Sequence, residues 1–233
     1  MTRWLAALAA TLFALLPLPA LAAVTMTFWS RDFDGNYFPH AYFTLRGVPD
    51  AGGPPIDANY GFTAKSVSPK LLMGTVAGRL DISKPFYIAG SDAQFSVVLT
   101  DAQYNAVLGL VAAWDEKTGD AHYNLNQRNC VHFVKEAARI AGLTDLDRPK
   151  LMKKPRSYLQ SIAEANAGRV TLVKMHGKAY LATLPPLATT PVVATAPVAA
   201  TTAATTPVTT ARTNAVQASG RIFAAWRAGF CGR

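Results

Sequence analysis

Cysteine is nearly missing from this chain of 233 residues, which holds only Cys130 and Cys231. So few thiols exclude a disulfide-dense secreted scaffold. Histidine is also sparse, limited to His40, His122, His132 and His176, and no cysteine, histidine or carboxylate pair stands at a recognisable ligand spacing. Neither a metal site nor a cofactor is expected. Long apolar runs are confined to the first residues, where Pro17 and Pro19 leave less than the ~20 apolar residues that a bilayer-spanning helix needs. No internal repeat is visible. Acidic residues stop early: none follows Tyr180, whereas Arg212, Arg221, Arg227 and Arg233 all do.

What is present begins with a leader. Residues 1–22 carry Arg3, an apolar run and then Ala20-Leu21-Ala22, the small-x-small pattern of a signal-peptidase site. The mature chain is expected to start near Ala23 and to be periplasmic or secreted. No cysteine follows the run, which argues against lipoprotein processing. Residues 23–184 are long enough for one domain with its own core. Residues 185–218, rich in Thr, Ala and Pro, read as a disordered, extended linker, and residues 219–233 as a basic tail. In that tail Ile222, Phe223, Trp226 and Phe230 stand near helical spacing with arginines between them, a pattern suited to a membrane surface. The net charge of +9 favours anionic partners such as lipid headgroups or envelope polymers. Nucleic acid is not expected, because the folded part has no basic patch interleaved with aromatics.

Period-two alternation dominates the first half of the domain. "VTMTFWS" places Val24, Met26, Phe28 and Ser30 on one side, which predicts a strand. "YFPHAYFTLRG" puts Phe38, His40, Tyr42 and Thr44 on one face and Ala41, Phe43 and Leu45 on the other. "DANYGFTAKSV", "GTVAGRLDIS" and "AQFSVVLT" read as further strands, with spacings short enough for antiparallel hairpins. Two helices follow. Thr100 and Gln103 form a capping-box pattern ahead of Tyr104, Val107, Leu108, Val111 and Trp114. Asn129 is a favoured N-cap ahead of the stripe Val134, Ala137, Ala138 and Ala141, and Gly142 suits the left-handed closing position. "RVTLVKMHGKAYLATL" reads as a late strand or hairpin. The fold class is α+β, an antiparallel sheet against the helix that bears Cys130.

That helix gives Cys130 its chemical interest. With Asn129 capping, Cys130 is the first helical residue, where unpaired N–H groups and the helix dipole favour an anion. A thiolate there is expected to have a depressed pKa, and the same amides suit an oxyanion. The alternatives are an inert buried thiol and a Cys130–Cys231 disulfide. A nucleophilic thiol needs a base. His132 lies about 200° around the helix from Cys130, and His122 reaches it only through a tight fold-back, which leaves His40 and His176.

"FPHAYFTLRG" before "RNCVHFV" resembles the circularly permuted branch of the NlpC-type, papain-like cysteine hydrolases, the lecithin retinol acyltransferase-like group, over roughly residues 26–143. There the histidine strand precedes the cysteine helix. The resemblance implies a permuted papain-like fold, with Cys130 as nucleophile, His40 as general base, and Asn129 as helix cap beside the oxyanion site. It also implies a third polar group on the strand after the histidine strand, for which Asn59 is the candidate and Asp57 the substitute. The acyltransferase relatives use a second histidine there, and this chain has none in that window.

The expected activity is hydrolysis of an amide or peptide bond in the cell envelope, with peptidoglycan cross-peptides as the candidate substrate, through a Cys130 thioester. Two other classes compete: acyl transfer involving a lipid or another acyl donor, and a non-catalytic envelope-binding protein whose basic tail is the working part.

Overall fold

The computed structural model describes residues 23–35 and 37–187. The leader at 1–22, nearly all of the linker, and the tail with Cys231 lie outside the described residues. The alternating segments form β1 (Val24–Arg31), β2 (His40–Gly47), β3 (Ile56–Ala64), β4 (Thr75–Asp81) and β5 (Asp92–Leu99), joined by the short β6 (His122–Asn124) and by β7 (Thr171–His176). Together they make one seven-stranded sheet in the order β6-β4-β3-β2-β1-β5-β7, and every pairing is antiparallel. The expected α+β class therefore holds, and β6 is the one strand of the sheet that the sequence pattern did not announce.

The two faces of the sheet follow from the parity of the strands. Ala41, Phe43, Leu45, Met26, Phe28 and Phe95 face a core under three helices: α3 (Asp101–Trp114), α4 (Cys130–Ile140) and α5 (Pro155–Ala165). α4 has the predicted stripe, with Val134, Ala137 and Ala138 fully buried, and Gly142 closes it at φ 83°, the left-handed value that glycine adopts without steric cost. α3 begins with the predicted box, the Thr100 side chain accepting from the Gln103 N–H while the Gln103 side chain accepts from the Thr100 N–H. α5 is a helix that the sequence reading missed. It starts on Pro155 and buries Tyr158, Leu159, Ile162 and Ala163 at helical spacing.

The opposite face is thinner. Trp29, Tyr42 and Ala93 pack there against the short α2 (Pro85–Ala89) and α6 (Gly177–Thr183). The segment read as a late strand or hairpin is a strand only as far as His176 and then turns into α6, whose Tyr180 hydroxyl lies 3.2 Å from Thr27 Oγ1.

The sheet forks at one end. β2 pairs with β1 as far as His40 opposite Arg31, but its pairing with β3 stops at Tyr42 opposite Gly61. β3 runs on to Ala64, now paired only with β4. At the other end Val24 is flanked by Gly47 and Leu99, and Arg46 donates to the Pro185 carbonyl at 2.8 Å.

Candidate active site

A cavity of about 670 Å³ opens at the fork. Because the two strands part there, it receives side chains belonging to both faces: His40 and Tyr87 from the thin face, Cys130 and Tyr123 from the helical face. His40 and Cys130, 90 residues apart in sequence, thus share one cavity. His122, His132 and His176 are not on its wall. His122 is held by Asp120, and the His132 ring accepts from the Asn129 N–H at 3.3 Å. His176 sits on β7, at the far edge of the sheet.

Cys130 is a free thiol and the first residue of α4. Burial pushes the thiol up to about 11, against the backbone amides of Ala41, Val131 and Cys130, which favour the thiolate. The expectation of a depressed pKa is overturned, because the side chain is only 7 % exposed and desolvation of an anion exceeds what a helix terminus returns. His40 moves the opposite way. Burial lowers it to about 4, with the Asp81 carboxylate pulling it part of the way back. Between those values thiol and imidazole are both neutral, a resting state in which the ring can accept the sulfur's proton.

The imidazole is positioned by an absence. It stacks on Tyr42, ring centroids 5.9 Å apart, and its Nε2 lies over Gly61, so close that a Cβ on that glycine would be 2.6 Å from the nitrogen. Gly61 stands opposite Asp81 in the β3–β4 ladder. The ring therefore leans across a strand that has no side chain at that point, toward a carboxylate on the next strand. Nε2 is buried without a hydrogen-bond partner, and Asp81 is the charged group that acts on it. Asp81 is itself held by Ser83 Oγ at 3.3 Å and lies 3.5 Å from Arg79.

Asn59, the expected third group, is not on the cavity wall. Its amide is engaged elsewhere: Oδ1 accepts from the Ser83 N–H at 2.6 Å, and Nδ2 donates to the Ser83 carbonyl at 3.1 Å. Asp57, the substitute, pairs with Arg46 at 2.9 Å, toward the other end of β2. The group beside His40 is Asp81, one strand further along the sheet. "GRLDIS" contains the residue, but only the register shows that it flanks His40.

Asn129 caps α4 as expected. Its Oδ1 accepts from Val131 and His132 N–H at 2.8 and 3.2 Å, while Nδ2 donates to the Leu125 and Met152 carbonyls at 2.9 and 2.8 Å. With both amide hydrogens taken, its side chain is not a free oxyanion donor, and the Cys130 N–H is the amide at the helix mouth that remains for that task. Among the described residues no cluster of three or more histidines, cysteines and carboxylates could hold a metal ion. No helix among them is long and apolar enough to cross a membrane. No family model, curated protein or solved structure matches the chain.

Proposed function

We propose that this protein is an exported thiol hydrolase of amide or peptide bonds. The observation that carries the reading is the meeting, in one cavity, of a free thiol at a helix N-terminus and a buried neutral imidazole backed by a carboxylate. In the proposed reaction Cys130 Sγ attacks the substrate carbonyl as His40 takes the thiol proton, and the Cys130 N–H stabilises the oxyanion. The imidazolium then returns the proton to the leaving amine, and water, deprotonated by His40, hydrolyses the thioester. Asp81 is the positioning group that favours the transient imidazolium, in the place expected for Asn59. The permuted papain-like relationship belongs to the same proposal, supported by the order of histidine strand and cysteine helix and by their convergence.

The leader and the basic charge favour an envelope substrate, and peptidoglycan cross-peptides are the class proposed. The test incubates purified protein with peptidoglycan and follows release of free amino groups, with intact mass spectrometry to trap an acyl group on Cys130. Cys130→Ala is expected to lower release by about 10³-fold or more, and His40→Ala comparably. Release at the wild-type rate from Cys130→Ala sinks the proposal. Appearance of acylated lipid instead of free acid, when an acyl donor is supplied, redirects it to acyl transfer.

A further inference from the structure

Large apolar side chains that stay in water are concentrated around this cavity. Phe38, Val67, Ile82 and Phe86 line it, yet are 63, 66, 60 and 62 % exposed. Leu71 also lines it, on the one-turn α1 (Lys70–Met73), and the next two residues, Leu72 and Met73, are 75 and 86 % exposed. These residues come from three separate segments, the loop before β2, the stretch between β3 and β4, and the stretch from β4 into α2. Isolated surface hydrophobics are ordinary, but a collar of them around one opening marks an interaction site.

The charges around the same opening are predominantly positive. Lys65, Arg79, Lys84 and Lys153 line the cavity, and among the described residues Asp81 is the only acidic one on its wall. Lys65 pairs with Glu116 and Arg79 with Asp81. Lys84, Lys153 and the neighbouring Lys70 have no carboxylate partner among the described residues.

We infer that the mouth of this cavity docks onto an anionic lipid bilayer, with the apolar tips entering the headgroup region and the lysines meeting the lipid phosphates. Protruding loop tips and a one-turn helix suit a soft interface better than they suit the flat complementary core of a protein contact. Lysine, moreover, is depleted at protein interfaces, whereas next to an anionic bilayer it is the favoured side chain. Its long stem covers apolar surface while the ammonium stays in water. The cavity, with Cys130 and His40 on its wall, would then open onto the lipid surface. The surface is distinct from the basic tail at 219–233, and the docking does not depend on the thiol chemistry.

The experiment is co-sedimentation of the full chain with vesicles of phosphatidylcholine alone or with phosphatidylglycerol added. The wild type is expected to bind the anionic vesicles selectively and to lose that binding in high salt. Lys84→Gln with Lys153→Gln is expected to weaken partitioning about thirtyfold at low salt, and Met73→Ser with Phe86→Ser more than about tenfold. All four side chains are exposed, and unchanged thermal unfolding verifies that the fold is kept. Arg221→Gln with Arg227→Gln, in the tail, is expected to leave rim-dependent binding in place. Failure to bind either vesicle, binding that the rim substitutions leave unchanged, or loss only with the tail substitutions overturns the inference. Self-association abolished by the rim substitutions, without vesicle binding, assigns the collar to a second copy instead. Cys130→Ala should bind vesicles as the wild type does, so a failed hydrolase assay and a failed docking assay remain separate results.

Discussion

On one face of the sheet, Phe28, Phe43, Phe62 and Phe95 meet helices of 11 to 14 residues; on the other, Trp29, Tyr42 and Ala93 are covered by helices of 5 and 7 residues. The first face is a closed aromatic and aliphatic core, in which Phe133 of α4 stacks on Phe43 at 5.4 Å and meets Trp114 at 5.2 Å. The second carries hydroxyls and rings whose polar ends need partners, as Tyr180 does at Thr27. The difference teaches where each reactive group comes from. Cys130 belongs to the apolar face and is burdened with its low dielectric, while His40 belongs to the polar-aromatic face and leans on Tyr42. Only the fork between β2 and β3 lets the two open into one space.

The largest expected effect tests the contrast directly. Phe133→Ala removes a fully buried ring and should cost about 3–5 kcal/mol, against about 1–2 kcal/mol for Tyr180→Ala, whose ring is only half-buried. Urea unfolding of both variants measures the gap, and equal losses break the comparison. The second concerns the fork. His40 has its folded value lowered to about 4 from an ordinary 6.5. As pH falls below 6.5 the unfolded chain takes up this proton and the folded protein does not, so stability present at neutral pH is lost down to about pH 4, by about 3 kcal/mol. The pH dependence of unfolding in His40→Gln should lack that component. The smallest effect sharpens the geometry: Gly61→Ala places a Cβ 2.6 Å from His40 Nε2 and 3.1 Å from Tyr42 Cβ, which should cost about 1–3 kcal/mol. It should also lower hydrolysis of the proposed substrate more than it lowers stability, read as kcat against the unfolding midpoint.

Much of this architecture is legible in the sequence because it rests on local rules. Alternation from His40 to Gly47 assigns the right residues to each face, the Asn129 cap and Gly142 delimit α4, and Thr100 with Gln103 begins α3. α5 was missed although Pro155 at its first position and the spacing of Tyr158, Leu159 and Ile162 announce it, because its N-cap, Lys154, makes no side-chain capping bond. Asp81 escaped notice for a different reason. Its place beside His40 is set by cross-strand register and by the missing side chain of Gly61, neither of which appears in linear spacing. The sign of the Cys130 shift was lost in the same way, since a helix N-terminus can be read from sequence and the depth at which it sits cannot.

The polypeptide enters β1 and leaves past Pro185 at the same end of the sheet, where Val24 lies beside Gly47 and Arg46 holds the Pro185 carbonyl. The fork and its cavity are at the opposite end of β2. The described chain therefore begins and ends behind the cavity, a strand's length from the imidazole of His40.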